Sequence, residues 1–256
     1  MSFFTLIRVE FTKIKRSKIF LILLTAVVIL WIPSVLNADM NFTMQAEGIL
    51  PEHNFFIQGF LGMVWFMLPA SMVVGTVLLN MTERSHRGIL KMLSLPLSPA
   101  YLCLAKFVVL LFLAAVQLLM GIALYYVSTA IASQTQHYQF LLSPLFVFRE
   151  AGKIFLAVIP MLSVFWLLSV CIQTPVFAIG TGLASIVPSV LLINTKWWFA
   201  YPPSYPLFIV TADYGTLAKH LSTAQITFFP WLPVATAITV TCLLTACLLF
   251  GRAERR

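Results

Sequence analysis

The chain has 256 residues, of which 61% are hydrophobic and only 9% charged, and its mean hydropathy is +0.97. Values this far from those of soluble globular domains indicate an integral membrane protein. The net charge of +8 does not indicate nucleic-acid binding, because the basic residues cluster at the ends of apolar runs, where they set the orientation of membrane helices.

Residues 1–18 interleave apolar and basic side chains. At helical spacing, Phe4, Ile7, Phe11 and Ile14 share one face, which is the pattern of an amphipathic helix lying at a membrane surface. We therefore predict an interfacial helix on the cytoplasmic side. A plain basic flank to the first membrane span is the alternative that the sequence leaves open.

Six uncharged runs are long enough to cross a hydrocarbon core of about 30 Å as helices. They cover residues 19–37, 55–79, 107–131, 154–172, 176–194 and 226–250. The sequence thus predicts an all-α integral membrane fold, a single transmembrane domain whose predicted spans contain no Asp, Glu, Lys or Arg. Residues 140–148 are apolar but too short to cross, and we expect an interfacial or re-entrant piece there, held by the charged residues that follow it.

The charge distribution predicts the orientation of the six spans. With the amino terminus inside, twelve of the sixteen basic residues fall on the cytoplasmic side and four on the outer side. This bias predicts a multi-pass protein of the plasma membrane with both termini in the cytoplasm. The aromatic stretch that begins at Trp197 is then expected to form an irregular outer segment at the headgroup boundary.

The one sizeable polar loop on the predicted cytoplasmic side runs from Asn80 to Lys106. Its pattern predicts a short helix from Glu83 to Leu95, which ends before Pro96 because proline cannot continue a helix. Such a helix can lie along the membrane surface and contact a partner protein. The alternative is a solvated loop whose charges only fix the topology.

The chain lacks the motifs of several kinds of catalytic site. It contains no G-x-x-x-x-G-K-[ST] loop for nucleotide binding, no H-E-x-x-H motif and no C-x-x-C pair, so we expect no catalytic residues and no metal site. If ATP drives this protein, another chain must bind it. Gln117 and Thr181 are polar positions inside predicted spans; they are candidate substrate contacts, although hydrogen bonds between helices explain them as well.

The loop and the order of the spans resemble the permeases of ABC-2 type ABC exporters. The loop has the shape E-x-x-x-x-G-x-x-K-x-x-x-x-P-x-S, formed by Glu83, Gly88, Lys91, Pro96 and Ser98. In that family the matching loop carries a coupling helix that docks on a separate ATPase. The resemblance implies an ATPase dimer that binds ATP and Mg, a second permease, homologous or identical, and no cofactor on this chain. The residues that it implies for coupling are Glu83, Arg84, Arg87, Gly88, Leu90 and Lys91.

A finer resemblance is to the permeases of lantibiotic self-protection exporters. It rests on the Ile179–Leu183 stretch and on the aromatic and proline-rich segment that contains Trp197, Trp198 and Tyr201. It implies that the exporter expels an amphipathic antimicrobial peptide from the membrane, and that these three aromatic residues lie near its path.

Two other functions are compatible with the composition. A membrane-embedded enzyme acting on lipid or peptide would use loop residues such as His53, His137 or His220. An ATP-independent immunity or sensor protein would bind a peptide by its outer face.

Overall fold

The computed structural model describes residues 3–16, 19–43, 47–84, 98–217 and 228–253. Within these ranges every regular element is helical, and six helices are long and apolar enough to cross a membrane. The predicted all-α fold with six spans is therefore confirmed. The helices are α1 (Phe3–Arg16), α2 (Ile19–Leu36), α3 (Met40–Thr43), α4 (Pro51–Gly62), α5 (Leu68–Arg84), α6 (Pro99–Gln136), α7 (Pro144–Cys171), α8 (Pro175–Ala184), α9 (Pro188–Leu192), α10 (Tyr205–Leu217) and α11 (Phe228–Ala253).

The second span is one long helix with a local irregularity. A π-helical turn at Met63–Met67 joins α4 to α5 without interrupting the helix. Pro69 lies two residues after this turn and has no N–H to donate to the carbonyl of Trp65. Widening the preceding turn accommodates the missing hydrogen bond.

The third span, α6, has 38 residues and is therefore about 57 Å long, well beyond the roughly 30 Å of a hydrocarbon core. It begins earlier than the predicted span because Pro99 occupies the first helical turn, where its missing N–H costs no hydrogen bond. It ends at His137, which adopts a left-handed conformation with φ of 50°. Lys106 consequently lies inside a helix rather than at the boundary of a loop.

The fourth span also begins earlier than the sequence predicted. Residues 140–148 were expected to form a separate interfacial piece, whereas in the structure α7 runs without interruption from Pro144 to Cys171. Ser143 is extended and Pro144 starts the helix, so the apolar residues up to Phe148 form its first turns. The charged residues that follow, from Arg149 to Lys153, are therefore part of the spanning helix.

The fifth span is broken and the outer segment after it is partly helical. Residues 185–187 separate α8 from α9, where Pro188 cannot donate to the preceding turn and the Ser185 hydroxyl donates to the Gly182 carbonyl (2.6 Å). The stretch that begins at Trp197 forms two short 3₁₀ turns as far as Ser204 and then helix α10, most of whose residues are buried. The expectation of an irregular segment holds only for its first part.

The bundle has two distinct ends. One carries α1 and the junction between α5 and α6, and we call it the α1 end; helix α2 runs from there to the opposite, far end. An aromatic cluster of Trp31, Phe55, Phe60 and Tyr125 fills the core toward the far end, with ring centroids 5.8 to 6.5 Å apart. Gly59 permits this packing, because a Cβ there would lie 2.5 Å from the Trp31 ring.

Candidate functional site

The α1 end of the bundle holds the helices that flank the predicted coupling segment. Helix α5 ends at Arg84 and α6 begins at Pro99. Of the six predicted coupling residues, Glu83 and Arg84 form the last residues of α5. The other four, Arg87, Gly88, Leu90 and Lys91, lie outside the described residues.

Helix α7 fixes both flanks of this segment. On one side, Asn80 of α5 is buried and its side chain donates to the Ser169 carbonyl (2.5 Å). On the other, the Trp166 indole donates to the Cys103 sulfur of α6 (3.2 Å). The two ends of the segment are thus attached to the same spanning helix.

Lys106 lies near the start of α6 and its side chain is completely buried. Its ammonium group donates to Glu10 Oε2 of α1 (3.0 Å) and to the Leu79 carbonyl near the end of α5 (3.1 Å). A buried charge is tolerated only where such partners replace its hydration. One side chain therefore joins α1, α5 and α6 beside the predicted coupling segment.

Glu10 is the acidic partner in this cluster, and its side chain is only 1% exposed. Its second oxygen, Oε1, pairs with Lys13 one turn along α1. Burial by itself raises the pKa of Glu10, but the charge of Lys106 and the hydrogen bond and charge of Lys13 outweigh it and hold the pKa below the ordinary value. Glu10 is therefore ionised throughout the physiological pH range. We call Glu10, Lys13 and Lys106 the α1-end ion cluster.

The spacing of α1 explains why a carboxylate is buried here. Leu6, Glu10 and Ile14 follow one another at four-residue intervals, and all three are buried against the bundle. Phe11 flanks this row and packs edge-on against Phe112 of α6 at 4.8 Å between ring centroids. By contrast Phe4, which the sequence placed on the apolar face, is 81% exposed.

Sequence reasoning assigned no role to Glu10 and took Lys106 as the end of the polar loop. A signal was present, since Glu10 is the only acidic residue among the cations of residues 1–18 and lies one turn from two apolar residues on the same face. The partner could not be identified in this way, because Lys106 is 96 residues away in the chain.

The predicted substrate-path residues fall in separate places. Gln117 is completely buried on α6, where its Oε1 accepts a hydrogen bond from the Ser71 hydroxyl (2.6 Å). Its Nε2 has no partner in the described part of the chain. Thr181 is exposed on α8.

The aromatic candidates lie at the far end and differ in exposure. Trp197 is 70% exposed, whereas Trp198 is buried and stacks on Phe208 with 3.6 Å between ring centroids. The Tyr201 hydroxyl donates to the Ser185 carbonyl at the break between α8 and α9. Trp198 and Tyr201 thus have clear packing roles, and Trp197 is the aromatic candidate that is open to a ligand.

A second ion cluster lies at the far end, between α7 and α10. Lys153 Nζ lies 2.7 Å from Glu150 Oε2 and 3.1 Å from Asp213 Oδ1, and Arg149 contacts the other Glu150 oxygen at 3.1 Å. Burial and the neighbouring Glu150 carboxylate raise the pKa of Asp213 to about 7. We call Glu150, Lys153 and Asp213 the far-end ion cluster. It borders a cavity of about 170 Å³.

Neither cluster has the donor set of a metal centre. No group of three or more His, Cys, Asp or Glu side chains suited to a metal ion occurs within the described ranges. In the far-end ion cluster the Lys153 ammonium lies between two carboxylates, in the position that a metal ion would otherwise take, and the α1-end ion cluster has a single carboxylate between two lysines. The arrangements can fasten helices together and transmit their movement.

Comparison with known proteins gives one match. The model of a family described as ABC-2 family transporter protein matches residues 6–192. The matched region runs from α1 to α9 and includes Glu10, Lys106 and the whole segment between α5 and α6. No curated protein and no solved structure gives a significant match.

Proposed function

As a member of the ABC-2 family of transporter proteins, this chain is a multi-pass permease subunit of an ABC transporter, and we propose that it exports an amphipathic antimicrobial peptide of the lantibiotic type. ATP and Mg are bound by a dimer of a separate ATPase subunit, and a second permease, identical or homologous, completes the membrane part. The assembly lies in the plasma membrane with both termini of this chain in the cytoplasm, and it protects the cell by removing the peptide from the membrane.

The observation that carries the energy-coupling part of the proposal is the α1-end ion cluster. A force that the ATPase exerts on the segment between α5 and α6 is transmitted to the bundle through the ends of these two helices. Lys106 ties both helix ends to Glu10 of α1, so the three elements move as one body rather than bending separately. A rigid junction of this kind converts a local contact with the ATPase into displacement of whole helices.

The proposed coupling residues are those that the family resemblance implies. Glu83, Arg84 and Arg87 make polar contacts with the ATPase, Leu90 anchors the helix, and Gly88 and Lys91 complete the docking segment. Helix α5 is helical up to Arg84, so Glu83 and Arg84 belong to the end of a spanning helix.

The proposed peptide substrate is supported by the character of the far end. Trp197 is exposed there, next to aromatic residues packed around Trp198. Amphipathic aromatic side chains suit the boundary between lipid and water, which is also where an amphipathic peptide binds. Trp197 and Tyr201 are the proposed contacts at the exit, with Thr181 and Gln117 along the path.

The experiment is ATP-dependent transport by the complete transporter. The chain is co-purified with its ATPase, reconstituted in proteoliposomes, and tested for removal of a fluorescently labelled lantibiotic from the bilayer. We expect removal only with ATP, and we expect Glu83→Ala and Gly88→Pro to abolish it while ATP hydrolysis continues. Ser85→Ala in the same segment serves as the control and should transport normally.

Other outcomes distinguish the alternatives. Peptide binding that is indifferent to ATP, with no removal from the bilayer, would support an immunity or sensor protein instead. Chemical conversion of lipid or peptide by the isolated chain would support an enzyme. Normal transport by both Glu83→Ala and Gly88→Pro would contradict the coupling role of the segment.

A further inference from the structure

A pocket of about 440 Å³ lies at the far end of the bundle between α2 and α4. Half of its lining residues carry amide side chains, namely Asn37, Asn41, Asn54 and Gln58. Ser34 adds a hydroxyl group and the remaining lining residues are apolar. None of the described residues that line it is charged. We call it the amide pocket.

The orientation of the Asn54 amide is fixed by a chain of hydrogen bonds. Asn41 Nδ2 donates to the Ala38 carbonyl (3.0 Å), so the amide oxygen of Asn41 must face away from that carbonyl. This oxygen accepts a hydrogen bond from Asn54 Nδ2 (2.9 Å). Asn54 therefore presents its NH₂ group to Asn41 and turns its own oxygen elsewhere.

This arrangement leaves a buried acceptor without a donor on a residue that lines the pocket. Asn54 is only 3% exposed, and its Oδ1 has no hydrogen-bond partner in the part of the chain that the structure describes. A buried acceptor without a donor is unfavourable, because it has lost its hydration and gained nothing in return. A ligand that supplies an N–H or O–H group to this oxygen recovers that loss.

The chemistry of the lining selects an uncharged ligand. A phosphate or carboxylate ligand is bound best beside a cationic side chain, and an ammonium group beside a carboxylate. Among the described residues, no cationic side chain and no carboxylate lines the pocket. Amide side chains both donate and accept hydrogen bonds, as a peptide group does. Met40 and Phe55 provide apolar surface beside them, which suits the side chain next to such a peptide group.

We infer that the amide pocket binds the backbone of an apolar peptide segment, whose N–H donates to Asn54 Oδ1. Gln58 lies one helical turn from Asn54 on the same face of α4, and its exposed amide makes a second contact with the peptide group. The inference rests on the proposed function only in taking this peptide to be the exported substrate. The pocket itself is defined by the chain alone.

The test is a binding measurement on the full chain in lipid nanodiscs, without ATPase or nucleotide. Met40 lines the pocket, so a methyl-labelled methionine at this position reports occupancy by NMR, with Met40→Leu used for assignment. The probe is N-acetyl-leucinamide, which has two amide groups, one apolar side chain and no charge. We expect a saturable shift of the Met40 methyl signal. N-acetyl-leucine, which carries a carboxylate, and leucinamide, which carries an ammonium group, should bind at least about tenfold more weakly.

Two substitutions test the assigned residues. Asn54→Leu removes the free acceptor with little change in volume, and we expect it to weaken binding about tenfold. Gln58→Leu lies on the exposed side of the same pocket and should weaken binding severalfold without disturbing the core. Asn194→Leu is the matched control, since it removes an exposed amide that does not line the pocket.

The inference is overturned if N-acetyl-leucinamide gives no saturable shift, or if the two charged analogues bind equally well. It is also overturned if folded Asn54→Leu and Gln58→Leu proteins both bind the probe as the unsubstituted chain does. Should Asn54→Leu fail to fold, the Gln58→Leu protein decides alone. Because no ATPase is present, failure of peptide transport leaves this binding result intact, and loss of the binding result leaves ATP coupling intact.

Discussion

The two ion clusters of the bundle contain lysines and carboxylates in opposite ratios. At the α1 end, one carboxylate, Glu10, is shared by two lysines, and both Glu10 and Lys106 are almost completely buried. At the far end, one lysine, Lys153, is shared by two carboxylates and is 36% exposed. The first arrangement keeps its carboxylate ionised. The far-end cluster has two carboxylates for one lysine. The repulsion between these carboxylates is relieved when Asp213, whose pKa is raised to about 7, binds a proton.

This difference implies different roles for the two ends. The lysines hold the pKa of Glu10 below its ordinary value, so this carboxylate stays ionised and the α1-end cluster would hold the proposed coupling junction at any physiological pH. The far-end cluster attaches helix α10 to α7, and the strength of that attachment varies with pH. A rigid end where force enters and an adjustable end where substrate leaves would suit an exporter. Substitutions at each cluster can test this contrast, beginning with the largest expected effect.

Lys106→Met should have the largest effect. It removes the buried cation from Glu10, whose remaining partner among the described residues is the partly exposed Lys13. Breaking a buried ion pair in this way costs about 3–5 kcal/mol. We expect a large fall in the midpoint of thermal unfolding, measured by size-exclusion chromatography after heating in detergent. Lys15→Met, which removes an exposed lysine of α1, should leave the midpoint nearly unchanged.

A double substitution separates the charge from the packing. In Glu10→Gln with Lys106→Met no uncompensated buried carboxylate remains, so much of the lost stability should return. If the double variant is as unstable as Lys106→Met alone, the cluster acts through shape rather than charge. The contrast between the two ends would then fail.

A feature of this bundle could be predicted from the sequence only where the residues that form it lie close together in the chain. The six spans follow from local hydropathy and length, and the sequence predicted all six for that reason. Their boundaries at α6 and α7 were misplaced because a charged residue was taken to end a span. Lys106 is buried with a partner from another helix, and Glu150 is buried with Lys153 as a partner on its own helix. The pairing of Lys106 with Glu10 across 96 residues leaves no periodic trace in the sequence.

The same limit applies to the amide pocket. Asn37, Asn54 and Gln58 are ordinary polar residues near the ends of apolar runs, and their spacing predicts no site. The hydrogen bonds from Asn54 to Asn41 and from Asn41 to Ala38 orient the Asn54 amide, whose oxygen then has no partner among the described residues. A site made by the orientation of one amide group cannot be predicted from residue types.

Lys153→Met should have the next largest effect, and a smaller one than Lys106→Met. Its side chain is partly exposed, and Glu150 retains Arg149 as a partner, so we expect a loss of about 1–2 kcal/mol. Thermal unfolding in the same detergent measures it. Gly152→Ala, on the same helix, is the control, because a Cβ at that position meets no atom within 4 Å. A loss as large as that of Lys106→Met would remove the distinction between the clusters.

Asp213→Asn should change how the stability depends on pH more than it changes the stability at any single pH. Because the pKa of Asp213 is raised from 3.8 to about 7, the folded chain binds a proton there that the unfolded chain has released. This contribution to stability is complete below about pH 4 and is lost as the pH rises through 7. Relative to Asp213→Asn, the unsubstituted chain should therefore lose thermal stability between pH 5 and pH 8.

The comparison between these two proteins isolates Asp213 from the side chains that both proteins share. His53 also lies near the far-end cluster, with its ring 5.4 Å from that of Phe146, and it is present in both proteins. The difference in unfolding midpoint is measured at pH 5, 6, 7 and 8. A difference that does not change across this range would show that Asp213 is ionised throughout, and the far end would then be no more adjustable than the α1 end.

Arg149→Gln should have the smallest effect. The Arg149 side chain is 63% exposed, and its contact with Glu150 lies at the edge of the cluster, where solvent weakens the attraction. Replacing it should change the stability by less than about 1 kcal/mol and the effect should shrink further in high salt. Unfolding midpoints at low and high salt measure this. In this variant Glu150 keeps Lys153 as a partner. A large loss of stability for Arg149→Gln would therefore mean that the exposed Arg149, rather than Lys153, stabilises the cluster and the attachment of α10.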